Sequence, residues 1–322
     1  MFHSAPEFDR RDVLRSAGGI FALLTGSCLL GGCGSGDAAP SSEPVTVVPG
    51  AGSTAAAAAP LVVAKPEKSW MNFALVLQYV GAQFYSVAAN GSGISSSNLT
   101  GAGVQGALQG GRQVTFVDPD LAQYAREFAA DQLAMITQMR IELGAAAGAQ
   151  PTIDLSANAF AGIGQATSLG SGFDPFASDA SFLIGGLIIE YAVAAAYRGM
   201  LTAKVVGDAV DILTSAMGDS VYRNGLIRAR LAAKSQDDTA LSSRVTAVFD
   251  ALAHLEGSNS TSQDPTLIGQ ASSGVNDGDG HVIALTRSAN EVFRVMYLNA
   301  TGVSGGLLPA GANGVDLLPG LS

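Results

Sequence analysis

The sequence predicts an all-α fold, an antiparallel bundle of four long helices with a fifth, shorter helix and an irregular C-terminal tail. Three observations lead there. Apolar residues recur in steps of three and four along four separate stretches, the spacing that lines one face of a helix. Gly, Ser and Pro cluster between those stretches and break them from one another, as connections do. With 48% hydrophobic and only 14% charged residues in 322, the chain can build one large core.

The N-terminal segment precedes that bundle. DRRDVLR (9–15) sets Arg10 and Arg11 ahead of an apolar run from Ala17 to Leu30, the order of charge and greasy stretch found in a signal peptide. Paired arginines there read as a twin-arginine export address. The run closes in LLGGC (29–33), which resembles a bacterial lipobox: Leu30 three places before Cys33, then small Gly31 and Gly32. Cys28 lacks that leucine. Residues 1–32 are thus expected to be removed and Cys33 to carry lipid, with cleavage alone or retention as an anchor as the other outcomes; the run is short for a bilayer span. Residues 33–66, rich in Gly, Ser, Pro and Ala, read as a disordered tether. The expected location is the periplasmic face of the envelope, and Gly34 after the cysteine favours the outer membrane.

The bundle is assigned to residues 67–257. Its first helix, about 68–90, carries Leu75, Gln78, Ala82 and Tyr85 on one stripe. The second, about 119–144, opens with Asp118 as N-cap and Pro119 at the first helical position, stripes through Leu121, Ala125, Phe128, Gln132, Met135 and Met139, and stops at Gly144. The third, about 179–203, carries Leu183, Leu187, Glu190, Ala194 and Tyr197; the fourth, about 207–233, carries Leu213, Ala216, Ser220, Arg223 and Ile227. A shorter helix is expected over 242–255. Residues 90–113 read as a Gly/Ser-rich loop, and a longer connection with Pro151, Phe173 and Pro175 joins the second helix to the third. Residues 258–322 form an irregular extension apart from RSANEVFRVMYL (287–298).

Composition excludes several functions. The formal charge of −10 survives removal of residues 1–32, which hold three acids and three bases, so nucleic acid is not an expected partner. Without Cys28 and with Cys33 acylated, no thiol remains for a disulfide or metal. No G-x-S-x-G elbow and no P-loop are present. The apolar segment 181–197 invites a membrane-spanning reading, but Glu190 within it would be costly in lipid, and a buried core helix accounts for the same residues.

The stripes are interrupted at informative places. Gln78, Gln132, Glu190, Ser220 and Arg223 fall on inward faces, where an unpaired polar group costs about 1–3 kcal/mol. MNFALVLQYVGAQFY (71–85), the second helix ending in LG (143–144), FDPFASDASFLIGGLIIEYAVAAAY (173–197), VYRNGLIR (221–228), and RSANEVFRVMY (287–297) followed by GGLLPAGANG (305–314) together resemble the ferritin-like domain of desiccation-related proteins, over about residues 68–314.

That resemblance implies a dinuclear metal site, with one Glu from each of two helices and a Glu-x-x-His pair from each of the other two. Carried over, the ligand positions fall on Gln78, on Gln132 and Met135, on Glu190, and on Ser220 and Arg223. Only Glu190 keeps a metal-binding side chain. Iron favours carboxylates and imidazoles, and Arg223 would repel a cation, so the implied centre is vestigial, no cofactor is expected, and Glu190 and Arg223 are expected to pair across it. Past the signal only His254 and His281 remain, neither on the four stripes. Asp277 and Asp279 lack the rest of a calcium loop.

These readings point to a non-catalytic, metal-free envelope lipoprotein with a structural, binding or stress-related role and protein partners unspecified. Two alternatives stay open. One is a di-iron or di-manganese oxidoreductase whose ligands have shifted to acids such as Glu127, Asp131 or Asp219. The other is a small-ligand binder lined by Tyr85, Tyr191, Tyr197 and Tyr222, residues that serve equally well as core filler.

Overall fold

The computed structural model describes residues 66–203, 207–257, 275–276, 282–283 and 286–315. Arg10, Arg11, Cys33, the tether up to residue 65, Asp277, Asp279 and His281 lie outside the described residues, and Pro66, expected as the tether's end, opens the first helix.

The helices are α1 (Pro66–Asn90), α2 (Pro119–Leu143), α3 (Ala157–Ala166), α4 (Asp179–Glu190), α5 (Val193–Thr202), α6 (Asp208–Asp237), α7 (Thr239–Leu255) and α8 (Ala289–Met296). Asp118 caps α2 by accepting from the Asp120 amide, with Pro119 just inside the start. The direction of each helix follows from who meets whom. Lys68 at the start of α1 donates to the Leu143 carbonyl at the end of α2 at 3.3 Å, so these two run antiparallel. Asp179 at the start of α4 takes the backbone amides of Val117 and Asp118 at the start of α2, both at 3.0 Å, so α2 and α4 run parallel. Parallel neighbours require the chain to travel the length of the bundle between them. Residues 144–178 are that crossover. α6 then returns antiparallel, with Arg230 on Asp120 and Tyr222 on Glu127.

Four expectations need correction. The third helix is not continuous: it breaks at Tyr191 and Ala192 between α4 and α5. The carbonyl of Glu190 that the break frees accepts from Asn224 Nδ2 at 3.2 Å, as a buried carbonyl must. The crossover is not simply a connection, since it carries α3, which buries Ala159, Phe160 and Ile163. The loop 90–113 includes strand β1 (Leu108–Gln109), paired in parallel with β2 (Ile153–Asp154). The fifth helix starts earlier than expected, at Thr239, directly after α6.

α1 is the central element. From Met71 to Ala89 every residue is buried, so α1 is enclosed on all sides, consistent with apolar residues all round it. One side faces α2, α4 and α6. The remainder is covered by the two connecting loops, held by buried polar residues of α1 itself. Asn72 donates to the Ala146 carbonyl and accepts from the Gly148 amide, Tyr79 donates to the Asn98 carbonyl, and Gln83 donates to Gln150. The loops lie close enough that a Cβ at Gly106 would meet the Thr152 backbone. Phe293 of α8 packs on Phe73 with ring centres 5.0 Å apart, and Leu307, Leu308 and Ala312 bury the tail after it.

The segment Asp179–Thr202 is long and apolar enough to cross a membrane, but it is largely buried inside the protein, as a core helix is.

Candidate functional site

Glu190 is the last residue of α4 and is 1% exposed. Four side chains from three helices converge on its carboxylate. Arg223 of α6 places Nε 2.7 Å from Oε1, Gln132 of α2 donates Nε2 to the same oxygen at 3.2 Å, and Tyr85 of α1 donates its hydroxyl there at 3.3 Å. Ser220, one helical turn before Arg223, donates to Oε2 at 2.8 Å. Gln78 joins the periphery: its Nε2 donates to the Tyr197 hydroxyl at 2.7 Å and not to Glu190.

Local sequence explains the convergence. Ser220 and Arg223 are three apart on α6, so they share one face and reach the two oxygens of one carboxylate. Gln132 sits opposite Gly81, where a Cβ would strike its carboxamide; a Cβ at Gly186 would crowd the end of the Ile227 side chain and reach van der Waals contact with the Tyr85 hydroxyl. Neither glycine stood out in the sequence, although an isolated glycine in a helical run marks a close approach.

Three sequence candidates fall elsewhere. Met135 is half-buried and Ile136 takes the buried position beside it, because 3.6 residues per turn brings position 136, four after Gln132, back to the inner face. Tyr222 is half-buried and directs its hydroxyl to Glu127 at 2.9 Å, so it does not line the centre. Tyr191 is buried under the Arg287 guanidinium, 4.5 Å from the ring centre, and Arg287 in turn pairs with Glu256; that cluster fixes the tail to α5 and α7. His254 is exposed on α7.

The electrostatics are those of a closed ion pair. Burial by itself would lower the Arg223 pKa, but the charge of Glu190 overrides it and holds the guanidinium above its ordinary value. Burial, and next the Glu190 charge, push the Tyr85 hydroxyl well above 10.0. Burial raises Tyr197 likewise, against the opposing pull of Arg223. Both tyrosines are therefore neutral throughout the physiological range, Tyr85 as a donor to Glu190 and Tyr197 as the acceptor of Gln78. Outside this centre, half-buried Asp131 and Asp219 are raised above 3.8, chiefly by burial.

A family model described as a ferritin-like domain matches residues 67–233. No curated protein and no solved structure matches the chain. The dinuclear centre that such a bundle implies does not fit the residues present. Its chemistry needs several carboxylates and imidazoles, whereas this centre offers one carboxylate whose oxygens already accept from Arg223, Gln132, Tyr85 and Ser220. Among the described residues no group of three or more His, Cys, Asp or Glu side chains is arranged to hold a metal ion.

Proposed function

Because the chain belongs to the ferritin-like domain family, whose model covers more than half of it, we propose that it uses the bundle without metal, as a non-catalytic protein of the cell envelope. One observation carries this reading: the Arg223 guanidinium lies 2.7 Å from Glu190 at the centre of the bundle. A fixed cation there neutralises the one remaining acid and repels a metal ion electrostatically. The protein has exchanged a metal-bridged core for a hydrogen-bonded one.

The resemblance to desiccation-related proteins supports a structural, binding or stress-related role. Arg10, Arg11 and the apolar run after them support twin-arginine export, and LLGGC supports a lipid on Cys33 with residues 33–66 as the tether. Fractionation tests the anchor, since Cys33→Ala should leave the membrane for the soluble fraction; unchanged membrane association would remove the lipoprotein reading.

Elemental analysis tests the centre. The mature domain, produced with iron and manganese supplied, should contain well under one metal ion per chain, and EDTA should leave its Tm unchanged, because a ligand that is not bound contributes no stability. A stoichiometric dinuclear centre would overturn the reading and return the protein to the oxidoreductases, with Glu127, Asp131 and Asp219 as the relocated ligands to test first.

A further inference from the structure

Three atoms at the centre hold unused hydrogen-bonding capacity. Arg223 Nη2, Gln78 Oε1 and Gln132 Oε1 are buried and have no hydrogen-bond partner among the described residues; their side chains belong to residues only 1%, 2% and 2% exposed. Exchanging the ends of either carboxamide does not cure this. In Gln132 the exchange would set its oxygen against Glu190 Oε1, and in Gln78 it would merely leave the NH2 unpaired in place of the oxygen. Buried polar atoms in folded proteins are almost always paired with protein or with ordered water.

Two of the three side chains meet at Glu190, and the third is linked to them through Tyr197. Gln132 and Arg223 bond the same oxygen of Glu190, and Gln78 holds Tyr197, a residue within electrostatic reach of Arg223. What they require together is specific. The occupant must accept from a guanidinium and donate to carboxamide oxygens. A cation meets the amide oxygens but is repelled by Arg223. An anion without a proton suits Arg223 but cannot donate to the amides, and an apolar molecule satisfies none of the three. Water, with two donors and two lone pairs, satisfies the set.

We infer that the bundle centre is a binding site for internal water, which accepts from Arg223 Nη2 and donates to the carboxamide oxygens of Gln132 and Gln78. This rests on the metal-free reading and deepens it: the polar core is closed by solvent in addition to the Glu190–Arg223 pair. The site lies deep among α1, α2 and α6, so exchange of this water requires the helices to part and should be slow compared with surface hydration.

A crystal structure of the mature domain at a resolution that shows waters, with anomalous data at the iron and manganese edges, separates the outcomes. Density without anomalous signal at about 2.7–3.2 Å from Arg223 Nη2 and from a carboxamide oxygen is the expected result. An anomalous peak at the centre would overturn the metal-free reading itself. An Arg223–Glu190 pair with no density at Nη2 would overturn the water and leave the metal-free reading intact. In solution, water magnetic relaxation dispersion should show a long-lived component that falls by one water or more when Gln78→Met and Gln132→Met are combined. An unchanged component in that folded variant would also overturn the inference.

Discussion

The carboxamide of Gln132 is seated against Gly81, in the space that a side chain at position 81 would fill. α1 and α2 meet at this point, and the close approach is what lets a residue of α2 reach Glu190 on α4. Gly81→Ala should therefore push Gln132 from the carboxylate. In the native background the lost bond and crowding should outweigh the better helix propensity of alanine, for a net loss of about 1–3 kcal/mol. In a Gln132→Ala background the obstacle is gone, and the same substitution should become neutral or stabilising by up to about 1 kcal/mol. Urea denaturation of the four proteins checks the change of sign.

The second prediction concerns the tail. Asn313 has φ +60°, accepts from the Val104 amide at 3.2 Å, and donates to the carbonyls of Val104 and Ala149 at 2.9 and 3.0 Å. One side chain thus joins the tail to both loops that cover α1. Asn313→Ala loses three bonds and strains the left-handed backbone, at a cost of about 2–4 kcal/mol. Asn313→Gly loses the bonds but not the backbone fit and should cost about 1 kcal/mol less. Equal losses in the two variants would show that the backbone conformation contributes nothing.

The parts of this architecture that the sequence announces are the parts that repeat along it. Helical spacing places Gln78, Gln132, Glu190, Ser220 and Arg223 on inner stripes, and all five are buried. Spacing fails where two positions compete for one face, as Met135 and Ile136 do. It is silent where tertiary contacts decide. The break after Glu190 has neither Pro nor Gly to signal it, and its freed carbonyl is satisfied by Asn224 on another helix. α3 contains Gly162 and Gly164 and is a weak helix by propensity, held by Phe160 and Ile163 in the core. The covering of α1 by loops depends on close backbone contacts, which leave no period to read.

The third prediction is pH dependence. Burial, then the charges of Asp219 and Glu127, raise Asp131 above 3.8 against the pull of Arg223; burial raises Asp219, with Arg223 opposing and Glu190 reinforcing. A carboxyl raised by folding binds its proton more tightly in the folded state. Its stabilising contribution is complete below the ordinary carboxyl pKa and is lost as pH rises through the raised value. At pH 7 both residues therefore oppose folding, and Asp131→Asn or Asp219→Asn should stabilise. Half-exposed charges are screened, so each gain should stay below about 1 kcal/mol. The gain should vanish below about pH 3.8, the ordinary value. A gain of equal size at pH 3.5 and pH 7 would assign the effect to something other than titration.

The last prediction concerns the pair itself. Arg223 and Glu190 have side chains 2% and 1% exposed, so neither charge can turn to water when the other is removed. Glu190→Ala strands a guanidinium among Tyr85, Tyr197 and Gln132; Arg223→Ala leaves a carboxylate with only the neutral donors of Ser220, Gln132 and Tyr85. Each single variant should lose about 3–5 kcal/mol. Arg223→Ala should lose less, because three donors still solvate Glu190 whereas nothing comparable remains for Arg223. The double change Glu190→Leu with Arg223→Met removes both charges at similar volume and should recover much of either loss, leaving Ser220 and the Gln132 amide as the residual cost. Chemical denaturation of the two singles and the double completes the cycle. Losses that simply add would show the two residues uncoupled, and with that the argument that Arg223 neutralises the centre would fall.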